Sequence, residues 1–336
     1  MKALLLSSYG KLDVVEMDPP VAGRDEALVR VRACGICGSD VHGYTGVTGR
    51  RIPPLVMGHE AAGSIVAVGA DVRGFAPGDR VTFDSTVWCG TCAFCRSGRV
   101  NLCDARTIFG VSCGDYRRHG AFAELVAVPE RILYRLPDSL PFEHAAMAEP
   151  LAVAVHAVDR RRPAAAERVA VIGCGMIGLL TIQVLRARGC AGILAADPNG
   201  ERRALAARLG ASETTADAGG LAGFDHVFEA VGTAETVAAA VRAVRKGGAV
   251  TLIGNLAPEV PLPVQLVVTR EITLYGSCSS SGEYAEALAL LASGAVDMAP
   301  LISAVAPLDE GPAWFDRLRR SNQGVLKVVL AVQEES

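Results

Sequence analysis

The sequence has no unbroken apolar run long enough to cross a bilayer. Its longest uncharged stretch, Val169 to Leu185, is interrupted by three glycines, a threonine and a glutamine, and reads as strand, turn and helix. Charge imbalance is also missing: a formal net charge of −3 supplies no field for nucleic acid or an anionic membrane as the main partner. There is no internal repeat and no low-complexity linker. The opening Met1-Lys2-Ala3-Leu4-Leu5-Leu6-Ser7-Ser8 is too short for the core of a secretory signal and reads as a first strand. Without an export signal the expected location is the cytoplasm, where the ten cysteines stay reduced and metal is favoured over disulfide.

What is present describes a soluble α/β protein. Half of the 336 residues are hydrophobic and 36 are glycine, which suits two domains with large cores. The first 140 or so residues read as strands, among them 27–33, 63–68, 80–83 and 122–128, set between Gly, Pro and Asp. After Pro137 and Pro141 the period alternates: helix 148–161, strand 168–172, helix 176–188, strand 192–196, helix 200–209, strand 225–230, helix 234–245, strand 249–253. Such alternation builds a parallel, doubly wound sheet. Beyond about residue 276 the pattern is mixed again, with helices near 283–292 and 309–320 and a last strand at 325–332.

Four cysteines, Cys89, Cys92, Cys95 and Cys103, follow a Cys-x2-Cys-x2-Cys-x7-Cys spacing. Short Cys-x2-Cys links let thiolates converge on a tetrahedral ion, so the segment at about 86–106 is expected to be a structural zinc lobe. A disulfide lobe, unrelated buried thiols and an iron–sulfur cluster are the alternatives. The remaining Cys34, Cys113, Cys174, Cys190 and Cys278 are expected to be buried or half-buried thiols.

The run Arg168-Val-Ala-Val-Ile172-Gly173-Cys174-Gly175-Met176-Ile177-Gly178 is a strand entering Gly-x-Gly-x-x-Gly at a helix start. Gly173 makes the turn, Gly175 lets backbone approach a pyrophosphate, and Gly178 packs helix on strand, while the first helical residues Met176 and Ile177 face the phosphates. Asp197 ends the next strand, where an acid accepts hydrogen bonds from ribose hydroxyls and repels a 2′-phosphate. NAD is therefore preferred over NADP, although Arg202 and Arg203 argue mildly the other way.

A second metal cluster is suggested by Cys37-Gly-Ser39-Asp40-Val-His42, by Gly58-His59-Glu60 and by Glu149. A catalytic zinc needs fewer thiolates than a structural one and an open position. Cys37, His59 and Glu149 are suitable donors, with Asp40 able to orient His59. Each residue alone has an ordinary structural reading, Ser39 as a helix N-cap included.

Taken together these motifs resemble, over essentially the whole chain, the zinc-dependent medium-chain alcohol dehydrogenase superfamily. The string Glu149-Pro150-Leu151-Ala-Val-Ala-Val-His156 is similar to its sorbitol (polyol) dehydrogenase branch. The resemblance implies a GroES-like β-barrel catalytic domain, residues 1–146 and 277–336, around a Rossmann NAD-binding domain at 147–276. It implies two zinc ions per chain, one held by the four-cysteine lobe and one by Cys37, His59 and Glu149, the last binding directly or through water. Glu60 lies next to that metal and enters its shell during exchange. Zinc and NAD then serve oxidation of a secondary alcohol to a ketone, with Ser39 accepting the hydroxyl proton and His42 carrying it to solvent.

The implied substrate is a polyol, cyclitol or sugar acid. L-threonine or another amino alcohol, and a sugar-alcohol phosphate, are the alternatives, and a non-catalytic nucleotide-binding protein is a remote one. The segment Gly276-Ser277-Cys278-Ser279-Ser280-Ser281-Gly282 lacks the arginine of animal-type sorbitol dehydrogenases, and animal-type enzymes lack the complete four-cysteine lobe. Arg50-Arg51 and Arg117-Arg118-His119 read as solvated charges, or else as contacts for a phosphate or carboxylate. A homodimer or homotetramer is implied, with 272–276 as the edge strand that pairs.

Overall fold

The computed structural model describes residues 1–113, 116–320 and 324–332, with only the backbone described at Cys113 and Tyr116. The chain divides into two compact units, Met1–Glu149 with Leu301–Ser336, and Pro150–Pro300.

The first unit is built on a mixed sheet ordered Leu133–Arg135, Arg80–Phe83, Glu60–Val68, Glu26–Ile36, Lys327–Ala331, Ile302–Pro307, with Leu125–Pro129 also pairing Glu26–Ile36. Its long central strand alternates as a half-covered strand must: Ala27, Val29, Val31 and Ala33 are fully buried, while Leu28, Arg30 and Arg32 are half-buried. Under it lie Phe83, Phe109, Phe122 and Phe315, all essentially inaccessible. The register of this sheet positions a site. Gly35 pairs with Glu60, and Ile36 pairs with Val328. Residues just past Ile36, just before Glu60 and just before Val328 are thereby gathered at one end of the strands.

The second unit holds a six-stranded sheet ordered Glu213–Thr215, Gly192–Ala196, Arg168–Ile172, Phe224–Glu229, Val244–Leu252, Thr273–Gly276, parallel at every pairing. This is the doubly wound order in which the direction of winding reverses beside the first strand, Arg168–Ile172. Helices Met176–Ala187, Gly200–Leu209 and Ala234–Ala243 connect the strands. The last begins on a Thr233 cap, whose hydroxyl accepts from the Thr236 amide at 3.3 Å.

Several boundaries differ from the sequence expectation by a few residues, the first domain junction at Glu149 rather than 146 among them, and two differ by five or more. Strand Val244–Leu252 starts five residues before 249, because Val244 already pairs with Phe224. The return to the first unit falls at Leu301 rather than at 277. The intervening segment is fastened to helix Met176–Ala187 and its end. Gln183 exchanges side-chain bonds with the Asp297 backbone at 2.7 and 3.1 Å, Arg186 donates to Ala295 O at 3.1 Å, and Arg188 pairs with Glu286 at 2.7 Å.

Candidate active site and cofactor loop

Helix Gly38–Tyr44 leaves the central strand of the first unit with Cys37 at its N-cap, not Ser39. Asp40 folds back and accepts from the Cys37 amide at 3.3 Å. Donor atoms of Cys37, His59 and Glu60 lie within 4.8 Å of one another. Asp40, fully buried, stands behind the imidazole, with Oδ1 3.3 Å from His59 Nδ1 and no aligned hydrogen bond between them. Burial would raise the Asp40 carboxyl, but the nearby charge of His59, with the charge and hydrogen bond of Arg51, overcomes it and holds its pKa at about 2. Burial likewise opposes charge on His59, while Asp40, with help from Cys37, draws its pKa well above the ordinary histidine value.

Glu149 does not join the Cys37, His59 and Glu60 group. Its carboxylate accepts from Ser85 Oγ at 3.1 Å, and its pKa is pushed up to about 6 by burial, with Glu60 adding to the rise and His59 and Lys327 opposing it. Glu60, the nearer acid, is taken by a cation. Lys327 Nζ donates to its two carboxylate oxygens at 2.7 and 2.6 Å and to Ile36 O at 3.2 Å, in a pair buried on both sides. Gly35 leaves the room this needs, since a Cβ there would stand 2.2 Å from Glu60 Oε2. Lys327 carries no motif in the sequence; only the strand register reveals it.

Arg51 is neither solvated nor open to a phosphate. It is 5% exposed, and its Nη2 donates to Ser39 Oγ at 3.0 Å and to Asp40 Oδ1 at 2.9 Å. Arg50 and Arg117 are exposed. Arg118 pairs with Glu26 at 3.3 Å and lies over the Phe109 ring, and His119 Nδ1 accepts from the Val56 amide. His42 is exposed, one turn beyond Ser39.

These donors fit a divalent metal. One sulfur, one imidazole nitrogen and nearby carboxylates are a zinc-type set, and Asp40 occupies the orienting place behind the histidine.

The four sulfurs of Cys89, Cys92, Cys95 and Cys103 also lie within 4.8 Å of one another. All are free thiols, and Cys89 and Cys95 are 3.9 Å apart, too far for a disulfide. Amides point at the sulfurs: Cys103 accepts from Cys89 N at 3.3 Å, Cys89 from Thr91 N and Cys92 N, both at 3.4 Å, and Cys92 from Cys95 N at 3.5 Å. Hydrogen bonds, led by the Thr91 hydroxyl, bring Cys89 to about 5, whereas burial pushes Cys95 to about 12. Only a metal would hold all four ionised together. Of the other cysteines, Cys34, Cys174 and Cys190 are buried and Cys278 is exposed; the Cys113 side chain lies outside the described residues.

In the second unit the glycine loop has room for an anion. Gly173 has φ 94°, and a Cβ on Gly178 would stand 1.8 Å from Gly173 O, whereas one on Gly175 would enter open space. Met176 and Ile177, half-buried, begin the helix. The buried Asp197 carboxylate accepts from Cys174 N and from Asn199 N, each at 2.8 Å, tying the loop to the end of the second strand. Arg202 is half-buried; Arg203 directs Nη1 at the carbonyls of Asp197 and Pro198.

Residues 23–138 match the family model of the alcohol dehydrogenase GroES-like domain, and residues 177–293 that of zinc-binding dehydrogenase. The chain is 31% identical to a sorbitol dehydrogenase of Bacillus subtilis over 98% of its own length and 97% of that protein's. It is 34% identical to an L-threonine 3-dehydrogenase of Caldanaerobacter subterraneus, over 95% and 94% of the two chains. A crystal structure from Sinorhizobium meliloti bound to NADP superposes with a TM-score of 0.91 at 35% identity, over 98% of each chain.

Proposed function

This chain belongs to the polyol branch of the zinc-dependent medium-chain alcohol dehydrogenases, and from that premise we propose that it oxidises a secondary hydroxyl of a free polyol to the ketone, giving the hydride to NAD. The observation that carries this is the gathering of Cys37, His59 and Glu60 beside Ser39 on a helix that starts at Cys37. Cys37 and His59 would hold the catalytic zinc, with Glu149 as third donor and Glu60 kept in reserve by Lys327. The cysteine lobe would hold a structural zinc. When bound at the first site, the metal supplies Lewis acidity that eases loss of a hydroxyl proton.

Ser39 Oγ takes that proton, and His42, exposed one turn on, returns it to solvent. Asp40 keeps the His59 ring oriented. Gly173, Gly175 and Gly178, with the helix start at Met176 and Ile177, receive the pyrophosphate. Asp197 receives the adenosine ribose and disfavours a 2′-phosphate, and Arg203 is already engaged with backbone carbonyls. Arg202 and the NADP-bound relative point the other way, so the ratio of kcat/KM for NAD and NADP decides the cofactor. Reduced thiols in a four-sulfur lobe suit a cytoplasmic enzyme.

The test is initial-rate NAD reduction across sorbitol, galactitol, xylitol, myo-inositol, their phosphates, sugar acids, L-threonine and simple secondary alcohols. A free polyol is expected to be preferred. Preference for L-threonine would transfer the reading to amino alcohols, as the threonine dehydrogenase relative suggests. No turnover of any of them, with zinc and NAD bound, would overturn it.

A further inference from the structure

We propose that Arg51 is a positioning residue that fixes the direction of proton transfer at Ser39; this rests on the dehydrogenase reading above. Arg51 comes from the segment after helix Gly38–Tyr44, and its side chain runs back across the face of that helix. The helix is bare where the stem passes. A Cβ on Gly43 would lie 2.5 Å from Arg51 Cδ and 2.8 Å from Cγ, and the backbone there is ordinary helix, so the glycine serves the passage and not a turn. At the end of this path Nη2 donates to Ser39 Oγ and to Asp40 Oδ1, while the buried Nε has no acceptor. The place of Nη2 is kept even though another donor of the same guanidinium is left unmatched.

A serine hydroxyl has one proton to give and two lone pairs. Arg51 occupies one lone pair and, having no acceptor, can take nothing back. Ser39 therefore has one lone pair for the substrate proton and its own proton to pass on. As the substrate O–H breaks and a new Oγ–H forms, the original Oγ proton leaves towards His42 and solvent, the carbon-bound hydrogen being lost as the hydride that a bound nicotinamide would accept. A guanidinium at 3.0 Å also disfavours positive charge on Oγ, so acceptance and release are concerted.

The test is a double-variant cycle on the zinc-loaded enzyme with the best substrate of the panel. Arg51→Gln should lower kcat about ten- to a hundredfold, a part of the roughly hundred- to ten-thousandfold that proton-transfer catalysis supplies, with KM for alcohol and NAD little changed. The solvent deuterium isotope effect on kcat should rise. In a Ser39→Ala background the same change should cause no further loss. Arg51→Lys should restore part of kcat, and Gly43→Ala, which fills the path of the stem, should reproduce the loss should Arg51→Gln fail to fold. Additive losses in the cycle, or a loss carried wholly by KM or by zinc content, would overturn the proposal while leaving the dehydrogenase reading intact. An inert parent enzyme would instead overturn that reading, and this one with it.

Discussion

Lys327 lies 267 positions from Glu60 in the chain, yet it holds both carboxylate oxygens in a pair that is 3% and 1% exposed. Removing one partner of such a pair strands a buried charge, which costs about 3–5 kcal/mol. Lys327→Met is accordingly expected to lower the stability of the metal-free protein by that amount, and adding Glu60→Gln to recover most of it, measured as urea midpoints in a four-variant cycle. Asp40 gives a pH signature. Its folded pKa of about 2 lies below the ordinary 3.8, so the native state binds fewer protons. The resulting stabilisation, about 2 kcal/mol, is complete above 3.8 and is lost as pH falls through about 2. Asp40→Asn should flatten the acid limb of the stability curve; an unchanged limb would mean that Asp40 does not carry it. At this scale legibility follows distance along the chain. Cys37, Ser39 and His59 sit in short motifs, ordinary singly, that become legible through the family pattern they share. Arg51 and Lys327 do not, because an arginine in a polar loop and a lysine at the start of a strand are usually solvated, and only the helix face and the sheet register bring them inward.

Elements were legible where the pattern is local. The strands and helices of the parallel sheet follow from periodicity and short turns, since each strand pairs with neighbours whose order the winding rule limits. The first unit is different. Its central strand Glu26–Ile36 takes partners from 60–68, 125–129 and 327–331, pairings that no local pattern encodes. The same holds for segment 283–297, whose attachment rests on side chains such as Gln183 and Arg188. The cysteine lobe is the opposite case, nearly self-contained, with the short helix Ala93–Arg96 and the turn Val100–Leu102 between its ligands. Little apolar surface is buried there, and Cys89, Cys92 and Cys95 are not fully covered. With the proposed structural zinc bound, metal ligation would supply most of its order. Cys95→Ser is expected to lower the melting temperature and open the segment around 86–106 to limited proteolysis, while NAD affinity, set by the other unit, is retained. An unchanged melting temperature would count against a metal in the lobe.

For the molecule as a whole, the surface of the second unit is the feature that composition does not foretell. Strand Thr273–Gly276 ends its sheet with one side pairing Val244–Leu252 and none paired on the other among the described residues. Before it, Leu256, Leu262, Val264 and Val268 are 54%, 38%, 56% and 68% exposed. An open edge beside exposed apolar side chains is a liability for a lone subunit and an asset at a two-fold axis, where one patch meets its own copy. We therefore expect sedimentation to find a dimer or tetramer, and the double change Val264→Lys with Val268→Lys to shift it to smaller species without loss of zinc from the lobe. A parent chain that sediments as a monomer at micromolar concentration would leave the edge strand guarded only by its shortness. The exposed valines would then have to be explained by something other than self-association.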